Sequence, residues 1–155
     1  RRGRAVAPAT VVARLFLARG LPGDPVRDKL AERVNRENLK TVSVKLGKPA
    51  DPSLPGNSFD RVFLVHMYHE IRDPYEFLWR LRPSLRIGGR VIIVEAERAT
   101  GAHGTPAKLL ECELRATGYR RVDYQPLSEV KGYVAAFEAS GNRPEPAKIR
   151  VCSGS

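Results

Sequence analysis

Residues 59–95 read FDRVFLVHMYHEIRDPYEFLWRLRPSLRIGGRVIIVE. Two unbroken apolar runs, Val62-Phe63-Leu64-Val65 and Val91-Ile92-Ile93-Val94, lack the alternation of a half-buried strand. Short β-branched runs of this kind suit strands covered on both faces, as central strands of a parallel sheet are. Between them, Asp73-Pro74-Tyr75-Glu76 predicts a helix start. Asp73 can accept from free amides, Pro74 suits the first helical position, and Glu76 completes a capping-box spacing. Phe77, Leu78, Leu81 and Leu85 then share one helical face. Gly88-Gly89 is expected to end that helix, because glycine enters the left-handed conformation of a tight stop.

A strand, a crossover helix and a second strand parallel to the first make a right-handed βαβ unit. Ligands of open α/β sheets lie beyond the carboxyl ends of the strands. Here those ends carry His66-Met67-Tyr68-His69-Glu70 and Glu95-Ala96-Glu97, so any functional site is expected there.

A chain of 155 residues reads as one domain with a real core, burying roughly 70% of its unfolded surface. No apolar run approaches the ~20 residues that span a bilayer, which argues against a membrane role. No secretory pattern is present: the apolar residues after the initial RRGR are broken by Pro8 and Arg14. The first residue is not Met, as expected of a fragment or a processed product. Cys112 and Cys152 are too few and too unpatterned for a disulfide framework or a zinc site, so a reduced, cytoplasmic setting is expected.

The net charge of +10 is unevenly spread: residues 1–50 hold 12 Lys/Arg against 4 Asp/Glu, and residues 51–155 hold 15 against 13. The basic residues are scattered and no aromatic interleaves them before Phe16, so nucleic-acid binding is disfavoured on patterning.

Residues 1–24 form an atypical basic segment in which Val11–Ala18 fits either a helix turn or a short strand. Asp24-Pro25 starts a helix with a Val26, Leu30 and Val34 stripe that ends near Asn38. Thr41–Leu46 alternates and predicts a strand nearer a sheet edge. Residues 47–58, GKPADPSLPGNS, are a loop. Thr105-Pro106 opens another helix, carrying Leu110 and Leu114 and stopped by Gly118. Arg120–Leu127 and Tyr133–Ala139 predict an antiparallel pair joined through Lys131-Gly132. The polar, proline-rich residues 140–155 read as a disordered tail.

From about residue 25 to 139 the chain resembles the later two-thirds of a class I S-adenosylmethionine-dependent methyltransferase of the type 11 kind. The run VSVKLGKPADPSLPGNSFDRVFLVHMYHEI is similar to the family's third strand, acidic loop and fourth strand. RDPYEFLWRLRPSLRIGGRVIIVE is similar to its next helix, Gly-Gly turn and fifth strand. KLLECELRATGYRRVDYQPL and YVAAFEA are similar to its last helix and closing strands. The resemblance implies an α/β fold: a Rossmann-like parallel sheet with helices on both faces and a C-terminal antiparallel strand pair. Here that fold is incomplete at the N-terminal side. It also implies S-adenosyl-L-methionine as cofactor and a small-molecule acceptor.

The chain departs from the family in two places. The family opens with a strand ending in a G-x-G-x-G loop, where a Cβ would block approach of the cofactor. Residues 1–24 contain only Gly3, Gly20 and Gly23 and no G-x-G. Cofactor binding is therefore expected to be weak or absent. Two alternatives follow: a non-catalytic binding or self-association module, and an RNA-associated methyltransferase using the arginine-rich start. The second departure is Lys48, which stands where family members usually carry an Asp that accepts from the adenine amino group. Lysine cannot accept a hydrogen bond, so backbone groups or Asp51 would have to do so.

Carried onto this chain, the resemblance assigns cofactor contacts to Gly47, Lys48 and Asp51 and to Val65, His66 and Met67. His69 and Glu70 are the candidate catalytic residues, since either could take a proton from a substrate hydroxyl or amine. His66-x-x-His69-Glu70 contains metal-binding residue types. Two imidazoles three residues apart with no evident third ligand do not predict a metal site, so none is expected. Tyr68 fits a buried loop aromatic or the lining of an acceptor pocket. Trp79 fits packing or surface, and His103 lies in a loop that family members close over substrate.

Overall fold

A computed structural model describes residues 25–45 and 47–153 of the chain. The expectations for residues 1–24, the Asp24 cap among them, and for Leu46 lie outside the described residues. The chain divides into two compact units after Gly47.

In the first unit, α1 spans Pro25–Arg36. Leu30, Ala31 and Val34 are half-buried along one side, and Asp28, Lys29, Glu32 and Arg33 are exposed. Asn38, at φ 52°, breaks the chain direction just beyond the helix. The strand expected over Thr41–Leu46 is not present over Thr41–Lys45, which is irregular. Alternation identifies a strand only when a neighbour supplies a ladder, and among the described residues none pairs with this segment.

In the second unit the elements are β1 Phe59–Val65, α2 Pro74–Leu81, β2 Leu85–Ala96, α3 Ala107–Ala116, β3 Tyr119–Leu127 and β4 Gly132–Ala139. The sheet order is β1-β2-β4-β3, with β1 and β2 parallel and the two closing pairs antiparallel. The α/β fold with a C-terminal antiparallel pair is thus as expected. Val62 and Leu64 of β1 pair with Val91 and Ile93 of β2, and Ala135 and Phe137 of β4 continue that row. All six are buried, as are Phe77, Leu78 and Leu81 of α2 and Leu110 and Leu114 of α3. Tyr119 donates from its hydroxyl to Leu78 O at 2.7 Å, and Tyr133 to Thr105 O at 2.8 Å. These bonds satisfy two phenols that burial would otherwise penalise.

The α2 cap is as the sequence predicts: Asp73 accepts from Glu76 N at 3.0 Å and Pro74 opens the helix. The end is not. The α-helix stops at Leu81, one 3-10 turn follows over Arg82–Ser84, and Leu85 already belongs to β2. Gly88-Gly89 lies inside the strand, where Phe59 pairs with Leu85 but Arg61 with Arg90. The extra β2 residues bulge outward; Gly88 takes φ 73°, and a Cβ on Gly89 would stand 2.8 Å from Phe59 O. Pro83 explains the early stop: Arg82 keeps α dihedrals and still donates to Leu78 O, but proline offers no amide for the next rung of the ladder.

Two further expectations are overturned. β1 is not covered on both faces: Val62 and Leu64 are buried, while Phe63 and Val65 are 61% and 60% exposed. An unbroken apolar run does not by itself say which neighbours exist, and among the described residues β1 is an edge strand. Residues 140–153 are also not a disordered tail. Trp79 donates from Nε1 to Pro144 O at 2.8 Å, and Arg143 stacks 3.2 Å from the centre of the Trp79 ring. Arg143 also donates to Trp79 O, and Cys152 N donates to Tyr75 OH at 2.7 Å.

Cys112 and Cys152, read as an unpatterned pair of thiols, are joined in a disulfide that bridges 40 positions of sequence. The reduced setting inferred from free thiols loses its ground with it. No helix among the described residues is long and apolar enough to cross a membrane.

Candidate functional site

The parallel register of β1 and β2 sets the two strand tips level. Val65 pairs with Val94, and His66 N donates to Val94 O at 2.7 Å. His66 then turns the chain at φ 49°, a conformation uncommon outside glycine. Met67 leads into a 3-10 turn over Tyr68–Glu70. The turn brings His69 back over the end of β2, where Glu95 is the last buried side chain of the strand.

Glu95 is the centre of the site. Its side chain has 0% exposure, and each oxygen receives two donors. Oε1 takes His66 Nδ1 at 3.0 Å and Ala96 N at 3.0 Å. Oε2 takes His69 Nδ1 at 2.9 Å and His69 N at 3.2 Å. A carboxylate accepts only, and about four lone-pair directions are available to it. All are used, so both imidazoles carry their proton on Nδ1 and leave Nε2 as the acceptor nitrogen. The His66 ring is exposed, whereas the His69 ring is 5% exposed.

On the far side of His69, Nε2 lies 3.4 Å from Glu70 Oε1, and His103 Nδ1 lies 3.8 Å from the same oxygen. His103 reaches this point from the loop after β2, at φ 58°. Its ring stands edge-on to that of His69 at 5.8 Å. Behind the turn, Tyr68 donates from its hydroxyl to Glu113 Oε2 at 2.7 Å. Burial, then the nearby Glu113 charge, holds the Tyr68 hydroxyl well above its usual range, and burial pushes the Glu113 carboxyl up. A cavity of about 40 Å³ lies between these groups, lined by Tyr68, His69, Thr105 and Glu113 among others. Thr105 Oγ1 is buried there without a hydrogen-bond partner. A larger open groove of about 380 Å³ lies at the opposite end of the sheet, around Tyr119 and Ser140. Its Arg115 and Arg121 share Glu111, and its Arg120 shares Glu138 with Arg90, so the groove keeps a positive excess spread over paired surface arginines.

The sequence-assigned residues separate into two places. Val65, His66, Met67, His69 and Glu70 gather at the strand tips. Lys48 and Asp51 close a tight turn through Lys48 N to Asp51 O at 2.9 Å and Asp51 N to Lys48 O at 3.2 Å. Asp51 there accepts from Ser53 N at 2.7 Å and faces Arg80 at 3.6 Å. Gly47 closes the first unit. Sequence reasoning placed Glu95 at a strand tip but assigned it no role. An acidic residue closing a β-branched run was the available signal. The Tyr68–Glu113 pair spans 45 positions and left no local signal.

The profile of a family described as "Methyltransferase domain" matches residues 13–93. No curated protein matches the chain by sequence. Among solved structures, a SAM dependent methyltransferase from Aquifex aeolicus is similar at 17% identity over 80% of this chain and 66% of that one, with a TM-score of 0.69. The [4+2]-cyclase SpnF is similar at 15% identity over 72% of this chain and 62% of that one, TM-score 0.62. NcsB1, an O-methyltransferase from neocarzinostatin biosynthesis in complex with S-adenosyl-L-homocysteine and 1,4-dihydroxy-2-naphthoic acid, is similar at 19% identity over 81% of this chain and 41% of that one, TM-score 0.62. The chain thus spans two thirds or less of each of these structures, and at such identities the likeness is one of fold.

Proposed function

The chain belongs to the methyltransferase domain family, and we propose that it transfers the methyl group of S-adenosyl-L-methionine to a small-molecule acceptor. The observation that carries this reading is the imidazole of His69, held by a buried carboxylate at the paired strand tips.

The strand-tip residues fit one flank of the cofactor. Val65 and His66 present exposed side chains there, apolar and polar in turn, and with Met67 they are assigned to its methionine end. Gly47, Lys48 and Asp51 are assigned to its adenine end by the family resemblance. The donor chemistry there fits less well, because Lys48 cannot accept and Asp51 already serves Ser53 and Arg80. With no G-x-G in residues 1–24 either, cofactor affinity is expected to be weak.

When bound, the cofactor supplies a methyl group on a sulfonium sulfur that leaves with the bonding pair. The acceptor's oxygen or nitrogen lone pair forms the new bond to that carbon, and its proton passes to His69 Nε2. Glu95 holds the opposite ring nitrogen, which fixes the tautomer and steadies the imidazolium as it forms. Glu70, in the same turn, is the second proton acceptor. Most of the rate is expected from alignment rather than from acid–base help.

Calorimetry of the whole chain with S-adenosylmethionine and S-adenosylhomocysteine tests this reading, followed by a transfer assay on phenols and amines. Weak but saturable binding is expected; none at all would leave a second reading. Phe63 and Val65, exposed on the edge strand, favour a non-catalytic module that associates with itself. That reading predicts a concentration-dependent dimer in sedimentation.

A further inference from the structure

We propose that His69, Glu70 and His103 form a zinc-binding site at the mouth of the strand-tip cluster, with Glu95 orienting His69 behind it. In the sequence, two imidazoles three residues apart lack a third ligand. The fold supplies it from the loop after β2.

Glu95 fills its acceptor directions with four protein donors, so His69 keeps its proton on Nδ1. The other nitrogen, Nε2, then presents a lone pair toward Glu70 Oε1 at 3.4 Å. His103 Nδ1 approaches the same oxygen at 3.8 Å. The three candidate ligand atoms lie within 4.8 Å of one another. Lone pairs directed at one another repel unless a cation or an added proton stands between them.

The dimensions suit zinc. With metal–ligand bonds of about 2.0–2.2 Å in a tetrahedron, ligand atoms stand roughly 3.3–3.6 Å apart. The His69–Glu70 spacing is already in that range, the His103–Glu70 spacing needs to close by a few tenths of an ångström, and the His69–His103 spacing, within 4.8 Å, needs to close by up to about 1.5 Å. Glu70 and His103 side chains are 54% and 78% exposed, so both can move that far. Two imidazoles and one carboxylate, with the fourth position open, are the donor set of a zinc site that keeps room for a small ligand. A histidine ligand whose other nitrogen donates to a buried carboxylate is the usual supporting arrangement.

The neighbouring set of His66, His69 and Glu95 is also close enough to hold a cation. It is not the proposed site, because Glu95 is saturated by donors and His66 Nδ1 carries one of those protons. A cation at His69 Nε2 takes the lone pair that the general-base role needs, so zinc and proton transfer compete at this atom. The binding site itself does not depend on methyl transfer.

The test is calorimetric titration of Zn²⁺ into the whole chain at neutral pH and 0.15 M salt, with Mg²⁺ in parallel. One saturable Zn²⁺ site and no Mg²⁺ binding are expected, since Mg²⁺ takes oxygen ligands. His103→Ala and Glu70→Ala change exposed side chains, and each should weaken Zn²⁺ at least tenfold with the circular dichroism spectrum unchanged. His66→Ala should leave the affinity within about twofold. The proposal is overturned if Zn²⁺ does not saturate, if both outer variants bind like the parent, or if His66→Ala removes binding. A failed methyl-transfer assay beside intact zinc binding would remove the functional reading alone.

Discussion

His69 Nδ1 lies 2.9 Å from Glu95 Oε2, and neither side chain is more than 5% exposed. The bond joins the loop after β1 to the last buried position of β2. It turns two strand ends that the sequence places 26 residues apart into one rigid corner. Glu95→Gln should therefore act on stability before chemistry. The amide must turn its NH₂ toward an imidazole or a main-chain amide that now donates, leaving a buried mismatch of about 1–3 kcal/mol. For a chain of this size that lowers Tm by roughly 3–10 °C. A thermal midpoint unchanged by the substitution would show that Glu95 is not the pivot described.

Glu113 offers a test by pH. Burial raises its carboxyl above the ordinary 4.5, while the Tyr68 hydrogen bond pulls the other way. The folded chain thus binds this proton more tightly than the unfolded chain does. The stability contributed by the group is complete below the ordinary value and is lost as pH rises through the folded one. Glu113→Gln keeps an acceptor for Tyr68 and never carries the charge. Its Tm relative to the parent should rise by a few degrees between pH 4 and pH 8; a relative fall would mean the ionised carboxylate is favoured in the fold.

The Cys112–Cys152 bond anchors residues 140–153 across α2 and α3, so reduction should release them. A loop of this length predicts a loss of about 2–4 kcal/mol, or roughly 5–15 °C in Tm. Trp79 is the single tryptophan of the chain, and it lies under Arg143 and Pro144. Its emission should shift to longer wavelength on reduction, and in Cys152→Ser without reductant. Unchanged emission in both would show that the ring contacts hold the segment without the disulfide.

Neighbouring positions on β1 should respond in opposite ways. Leu64 is fully buried, and Leu64→Ala is expected to cost about 2–5 kcal/mol. Phe63 is 61% exposed, and Phe63→Ser should stay within about 0.5 kcal/mol in urea unfolding. A cost at Phe63 approaching that at Leu64 would mean the outer face of β1 is covered in solution.

The α/β plan of the second unit is legible in the residues alone, and so is the order of its elements. Capping chemistry at Asp73-Pro74, the proline that precedes α3, β-branched runs and the Gly118 stop are local signals, because they act within one or two turns of chain. The sequence also pointed to the strand tips as the candidate site, since strand polarity follows from the crossover and ligands gather at carboxyl ends. Glycine chemistry at Gly88-Gly89 was legible, but its place was not: a helix stop and a strand bulge ask for the same backbone freedom. That β1 is half-exposed, that Cys112 and Cys152 meet and that residues 140–153 strap α2 came from the three-dimensional fold. Only it made Glu95 the common partner of two histidines and brought His103 to Glu70. Each of these depends on which distant segments become neighbours, and that is set by register and packing.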